Sequence, residues 1–159
     1  MSRRTRIAFL AVVCAQLLFP LGVIAYNEAK LASGEDVRLH VQPVDPVDFF
    51  RGEYVALTYD ISRIDVGGLD PGTTVYVPLH EEDGFWTGSS AALDKPSGTF
   101  IRGHTSELGG IEFGIETYFV EEGQSRKYEQ AVGRGNLYVD VAIDDDGGAK
   151  IKRLVISQG

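Results

Sequence analysis

The sequence predicts one all-β domain, an antiparallel barrel or sandwich of about seven or eight short strands, preceded by a single N-terminal transmembrane helix. Residues 7–25 form 19 consecutive positions without a charged side chain, close to the ~20 that a helix needs to cross a hydrocarbon core. Beyond residue 36, apolar residues alternate in short stretches separated by Gly, Pro and Asp, which is typical of strands and turns. The 159 residues suffice for one hydrophobic core.

The charges around the apolar segment predict its orientation. Arg3, Arg4 and Arg6 precede it, and every acidic residue follows it. Because basic residues stay on the cytoplasmic side, we expect an inner-membrane protein with its N-terminus inside and its β domain outside. The predicted parts are a cytoplasmic stub at 1–6, a signal-anchor helix at 7–25, a juxtamembrane linker at 26–35 and an extracytoplasmic β domain at 36–159.

A cleaved signal peptide has the same layout, and Ala25 offers a small residue before a cleavage site. Secretion after cleavage is therefore the alternative. The retained anchor is favoured because the apolar run exceeds the usual length of about 7 to 15 residues in a signal peptide. The helix can also continue through residues 27–32.

The first predicted strands show a clear period of two. Val37, Leu39 and Val41 alternate with polar residues. In the strand predicted at 54–61, one face carries Val55, Leu57, Tyr59 and Ile61. Further strand candidates are residues 75–79, 85–86, 98–102 and 111–120. Pro78 confines its strand to an edge or an end, because proline donates no hydrogen bond to a sheet.

The last part of the chain predicts a β-hairpin. Residues 136–143 alternate, residues 144–148 form an acidic and glycine-rich turn, and residues 149–157 return. The apolar alternation shifts between Ile151 and Leu154, which predicts a β-bulge. Residues 125–131 are the one candidate for a short helix in this domain.

Composition narrows the classes of function. From residue 7 onward there are 12 basic and 23 acidic residues, a net charge of −11, which repels nucleic acid. Cys14 is the only cysteine and lies in the apolar run, so we expect no disulfide, zinc site or thiol nucleophile in the β domain. The three histidines lack metal-ligand spacing, and His80–Asp83 and Asp144–Gly148 are interpreted as polar turns. No cofactor is predicted.

Residues 43–54 combine two prolines, several charges and paired aromatic residues ahead of a strand. Proline stiffens such a segment, Gly52 permits a tight turn, and Arg51 can hold Asp48 or Glu53 in a two-pronged ion pair. We interpret the segment as a rigid corner. Its candidate interaction residues, with those of the strand that follows, are Asp45, Asp48, Arg51, Gly52, Glu53, Tyr54, Leu57 and Tyr59.

Residues 51–59, RGEYVALTY, resemble the GDYXXLXY protein family of bacteria, with Glu53 in place of the Asp in the family name. A second stretch, residues 114–123 or GIETYFVEEG, is also similar to that family. Its candidate residues are Gly114, Glu116, Tyr118, Phe119, Glu122 and Gly123. The resemblance implies a membrane-anchored protein with an extracytoplasmic domain and no established activity. It also implies a multi-pass membrane protein as a partner.

The favoured hypothesis for function is a noncatalytic module that binds or assembles with another membrane or envelope protein through the motif tyrosines, Phe119 or a sheet edge. Two other hypotheses are an envelope hydrolase that uses carboxylates of both motifs and a sensor for a cationic ligand. A serine–lysine dyad is excluded in the first motif, because no serine lies between Gly34 and Asp60.

Overall fold

The computed structural model describes residues 3–42, 54–121 and 123–157, and the chain divides into two compact units, Met1–Ser33 and Gly34–Gly159. The first unit is helix α1, Arg3–Ser33, with Pro20 inside it. Within α1, Val12–Ala29 is long and apolar enough to cross a membrane. The predicted apolar helix is confirmed. It continues beyond residue 25, so residues 26–33 are helical too.

The described residues of the second unit form ten strands, one 3-10 helix and one α-helix. They are β1 Glu35–His40, β2 Tyr54–Ala56, the 3-10 helix Asp60–Arg63, β3 Thr74–Pro78, β4 His80–Glu82, β5 Phe85–Thr87, β6 Phe100–Thr105, β7 Ile111–Glu112, β8 Thr117–Phe119, α2 Ser125–Gly133, β9 Leu137–Ile143 and β10 Ala149–Ile156.

The strands form four small antiparallel sheets, in the orders β1-β9-β10, β2-β8, β3-β6-β7 and β4-β5. The predicted all-β class is confirmed for this unit. Over the described residues, however, the strands do not close into a barrel, because the sheets contain only two or three strands each. The sandwich stays a prediction.

One core connects the sheets, and its side chains are those that the period of two placed inward. On β1 and β9 they are Val37, Leu39, Val139 and Val141, each at most 2% exposed. After β2, Leu57, Tyr59 and Ile61 are buried as well. The inward face predicted for residues 54–61 is therefore confirmed, although the regular strand ends at Ala56. Tyr59 forms an isolated bridge with Val41, and the 3-10 helix follows.

The hairpin of β9 and β10 matches its prediction. The Asp144 carboxylate accepts hydrogen bonds from the backbone N–H groups of Asp146 and Gly148, at 3.0 and 2.8 Å, which closes the turn. Pairing with β9 shifts between Ile151 and Arg153, so the predicted bulge is confirmed at Lys152. The short helix predicted at 125–131 is confirmed as α2.

Two local predictions were wrong. Residues 111–120 were predicted as one strand, but they contain two, β7 and β8. Gly114 adopts a positive φ of 79° and turns the chain between them. His80–Glu82 is a strand, β4, which pairs with β5 across a turn at Asp83 and Gly84. All three β4 residues are exposed, so no alternation of polar and apolar residues could identify it.

Candidate functional site

The two sequence motifs meet in one sheet. Strand β2 comes from the first motif and β8 from the second, and they pair antiparallel with Tyr54 opposite Phe119 and Val55 opposite Tyr118. The Leu57 N–H donates a further hydrogen bond of 2.7 Å to the carbonyl of Glu116. We call residues 54–59 and 114–119 together the motif sheet.

Tyr59 joins the two motifs inside the core. Its side chain is 0% exposed, and its hydroxyl donates a hydrogen bond of 2.6 Å to the carbonyl of Ile115. Burial raises the pKa of the Tyr59 phenol well above its usual value, and the nearby Glu116 carboxylate raises it further. The phenol therefore stays neutral and acts as a hydrogen-bond donor between the motifs. It offers no surface to a partner.

Glu116 is engaged by its own loop. One carboxylate oxygen, Oε1, accepts a hydrogen bond of 2.5 Å from the backbone N–H of Phe113. The backbone carbonyl of the same residue accepts from Leu57. Gly114, which lies between these contacts, supplies the positive φ that the turn requires. The carboxylate thus fixes the turn that delivers the chain into β8.

The solvent side of the motif sheet carries an aromatic pair. Tyr54 and Phe119 contact edge to face, with ring centroids 6.2 Å apart, and the Phe119 side chain is 76% exposed. Tyr118 has the opposite parity and packs partly buried against the core. Of the two aromatic residues in β8, Phe119 alone is presented to solvent.

One edge of β8 has no strand partner among the described residues. Since Leu57 bonds to Glu116, the alternation of an antiparallel ladder directs the backbone of Glu116 and Tyr118 toward β2 and that of Thr117 and Phe119 away from it. In the described part of the chain, β8 pairs only with β2. A groove of about 440 Å³ lies beside this edge, between residues 114–119 and the start of β10 at residues 149–151.

The other candidate residues fall into two groups. Gly123 has a φ of 83° in the turn before α2, and Leu57 is 2% exposed in the core. The predicted roles of the remaining candidates lie outside the described residues. These candidates are Asp45, Asp48, Arg51, Gly52, Glu53 and Glu122.

A protein-family model described as GDYXXLXY protein matches residues 16–154, most of the chain. The chain belongs to the GDYXXLXY family. No curated protein and no solved structure matches it. The match extends from inside α1 to inside β10, so it includes both GDYXXLXY motifs, the ion pairs described next and most of the span in α1.

Outside the GDYXXLXY motifs, ion pairs cover the solvent side of the sheet β1-β9-β10. Asp140 accepts hydrogen bonds from Arg38 Nε and Nη2 at 2.7 and 3.2 Å and from Arg153 Nε at 2.8 Å. Lys152 Nζ contacts both carboxylate oxygens of Asp36, at 2.7 and 3.0 Å. We call these five residues the ion-pair face.

The hydrogen bonds from Arg38 hold the pKa of Asp140 below its usual value, and the hydrogen bond from Arg153 lowers it further. The carboxylate in turn raises the pKa of Arg38. The ion-pair face could not be predicted from the sequence, because Arg38 and Asp140 are far apart in the chain. The shifted alternation between Ile151 and Leu154 was the one available signal, since it places two basic residues together.

The site contains no evident metal centre. Within residues 3–42, 54–121 and 123–157, no three His, Cys, Asp or Glu side chains are grouped closely enough to hold a metal ion. Over this part of the chain, the motif sheet presents unpaired backbone groups of β8 and apolar side chains to a neighbouring groove.

Proposed function

We propose that this GDYXXLXY protein is a noncatalytic binding or assembly module, held at the membrane by α1, that contacts another membrane or envelope protein through its motif sheet. The observation that carries the proposal is the exposed Phe119 on the open edge of β8, beside a groove. A partner would add an extended segment to this edge.

The backbone at this edge favours strand addition. An unpaired strand edge presents N–H and C=O groups that an extended peptide can pair with. Proteins often protect such edges with lysine, proline or a bulge, and Thr117–Phe119 contains none of these features. The edge is short, so its three residues supply few hydrogen bonds and a partner needs additional contacts.

The aromatic pair and the groove supply those contacts. Tyr54 and Phe119 offer large apolar surfaces with few rotatable bonds, a composition enriched at interfaces. On the other side of the groove, Ala149 and Ile151 add apolar surface. A segment with apolar side chains at alternate positions fits this arrangement, and the net charge of −11 beyond residue 7 favours a basic one.

We further propose that α1 is a retained anchor with the N-terminus in the cytoplasm and the second unit outside. The support is the span at Val12–Ala29 and the basic residues before it. Secretion after cleavage at Ala25 is the alternative.

The test is extraction of the tagged full-length protein from its own membranes in a mild detergent. Mass spectrometry then determines its N-terminus and the proteins that copurify. We expect residues 1–25 to be retained and one membrane or envelope protein to be present in a stoichiometric amount. A chain that begins at Tyr26 and purifies alone would contradict both parts of the proposal.

Two matched variants locate the contact. Phe119→Ser removes the exposed ring on β8, while Leu93→Ser removes another large apolar side chain that is 58% exposed. We expect Phe119→Ser to lose the partner and Leu93→Ser to keep it, with both melting within a few degrees of the wild type because neither side chain is buried. Equal loss in both variants would exclude the motif sheet as the specific contact.

A further inference from the structure

A second cleft lies on the ion-pair face. It has a volume of about 480 Å³ and is bounded by the sheet β1-β9-β10 on one side and the hairpin β4–β5 on the other. The sheet contributes basic side chains and Asp140, and the hairpin contributes Glu81 and Trp86. It shares no lining residue with the groove beside β8.

The bulge in β10 builds the basic wall of this cleft. Ile151 and Leu154 both pack against the core, so the two residues between them must both project outward. Those residues are Lys152 and Arg153, where a regular strand would send one of them inward. The bulge therefore places two cations side by side on the face that carries Arg38 and Asp140.

Asp140 holds the side chains of Arg38 and Arg153 in place, and part of each guanidinium group stays accessible to a ligand. The Asp140 side chain is 15% exposed, while those of Arg38 and Arg153 are 41% and 69% exposed. The carboxylate occupies Nε of Arg153 and Nε and Nη2 of Arg38. Both Nη atoms of Arg153 and Nη1 of Arg38 have no partner among the described residues, so they are donors open to a ligand.

The charged side chains that line the cleft balance, three cations against three carboxylates, but on the sheet itself the cations outnumber the carboxylates by one. One carboxylate, Asp140, is shared by two guanidinium groups, and Lys152 is already paired with Asp36. A guanidinium held in a fixed orientation suits the two oxygens of a carboxylate or a phosphate. The remaining acidic residue of the cleft, Glu81, is exposed on β4 and has no ion pair within the described ranges.

Trp86 provides the apolar wall. It is half-buried, packs against the core from strand β5, and lines the cleft. An indole anchored in this way presents a rigid flat surface to the body of a ligand. Polar donors that fix orientation beside an aromatic wall are the usual composition of a small-molecule site.

We infer that this cleft binds a small organic anion, whose carboxylate or phosphate group contacts Arg153 and Arg38 and whose ring or apolar body packs on Trp86. Glu81 repels such a ligand and limits its affinity. This site is additional to the proposed contact at β8, and it uses none of the motif residues.

The single tryptophan makes the test direct. Trp86 is the only tryptophan of the chain, so the fluorescence of the full-length protein in a nonionic detergent, excited where tyrosine does not absorb, comes from the wall of this cleft. The probes are glucuronate, glucose 6-phosphate, inorganic phosphate and uncharged glucose. We expect a saturable change with the first two probes, weaker binding of inorganic phosphate, no change with glucose, and weaker binding of both sugar anions as salt is added.

Three variants assign the contacts. Arg153→Gln should weaken binding of the sugar anions about 10-fold or more, since a charge-assisted hydrogen bond is lost. Lys95→Gln makes the same charge change in an exposed ion pair with Asp146 and should alter affinity less than about 2-fold. Glu81→Gln removes the opposing charge and should strengthen binding about 2-fold or more.

The results that overturn the inference are equally defined. They are the absence of a saturable change up to about 10 mM of every anion, or equal weakening by Arg153→Gln and Lys95→Gln. Equal affinity for inorganic phosphate and glucose 6-phosphate would overturn the role of Trp86. If Arg153→Gln melts early, Glu81→Gln still decides, because it breaks no ion pair of the sheet; an unchanged or lower affinity in that variant counts against an anionic ligand.

Discussion

The motif sheet and the ion-pair face hold their strands together in different ways. In the motif sheet, buried side chains and backbone hydrogen bonds join two distant parts of the chain, as in the contact of Tyr59 with Ile115. On the ion-pair face, the strands are already paired, and partly exposed charges such as those of Arg38 and Asp140 lie on top of them.

The comparison teaches that several of the described motif residues are engaged within the fold. Leu57 and Tyr59 are buried, and Glu116 fixes its own loop, whereas Thr117 and Phe119 are exposed. The ion-pair face lies outside the motifs and presents more open donors. Burying an apolar side chain contributes ~1.5 to 3 kcal/mol, whereas an exposed ion pair contributes ~0 to 1 kcal/mol. Substitutions of buried residues in the motif sheet should therefore lower stability more than substitutions on the ion-pair face.

The largest effect is expected for Leu57→Ala in the motif sheet. Leu57 is 2% exposed, and truncating a buried leucine leaves a cavity that lowers the free energy of unfolding by about 2 to 5 kcal/mol. Urea denaturation followed by circular dichroism measures the change. The control is Lys127→Ala on the exposed side of α2, expected within ~0.5 kcal/mol of the wild type. A loss below 1 kcal/mol for Leu57→Ala would show that this sheet is dispensable for stability.

Tyr59→Phe should cost about 1 to 2 kcal/mol, because the carbonyl of Ile115 loses its donor in the core. The effect depends on pH in a defined direction. The raised pKa of Tyr59 means that the unfolded phenol ionises first, so wild-type stability is full below about pH 10 and falls as pH rises further.

Tyr59→Phe has no phenol at this position to ionise, so it does not lose stability in this way. The difference in free energy of unfolding between the wild type and Tyr59→Phe should therefore shrink in alkali. Urea titrations at pH 8 and at about pH 11 test the sign. A gap that widens with pH would refute the neutral buried phenol.

On the ion-pair face, Asp140→Asn should cost about 1 to 2 kcal/mol, since two guanidinium groups lose their shared carboxylate at a partly buried position. Because the pKa of Asp140 is lowered, its contribution is present above about pH 4 and is lost as pH falls through the folded value. The difference in stability between Asp140→Asn and the wild type should therefore disappear in acid.

Thermal melts between about pH 7 and pH 3 follow this change. The exposed Asp94, changed to Asn, is the matched control and should show little difference at either pH. A gap between wild type and Asp140→Asn that persists below about pH 3 would mean that the ion pairs are not its source.

The smallest effect is expected for Lys152→Ala. The ion pair with Asp36 has good geometry, but its side chains are 38% and 67% exposed. Water and salt screen it, so the loss should stay below about 0.5 kcal/mol and disappear at about 0.5 M NaCl. A loss as large as that of Leu57→Ala would remove the distinction between the two regions.

The hairpin of β9 and β10 could be predicted from sequence because its period of two, its turn residues and its bulge are local. The pairing of β2 with β8 could not, since its register depends on Leu57 meeting Glu116 although strands β3 to β7 lie between them in the sequence. Tyr59 shows why the candidate site could not be predicted completely from the sequence. A tyrosine suits a core or an interface equally, and only the contact with Ile115 decides between them.

Strand β4 could not be predicted either, because its side chains are all exposed. The hairpin that β4 forms with β5 supplies one wall of the cleft on the ion-pair face, so that cleft could not be predicted from the sequence.

The bulge at Lys152 has a consequence for the length of the chain. The pairs on either side of it, Ile151 with Val141 and Arg153 with Asp140, are already consecutive on β9. A protein that lost residue 152 could therefore keep every remaining pair of the hairpin and all inward side chains. The inserted position instead changes the outer surface, because it gives β10 a second outward cation.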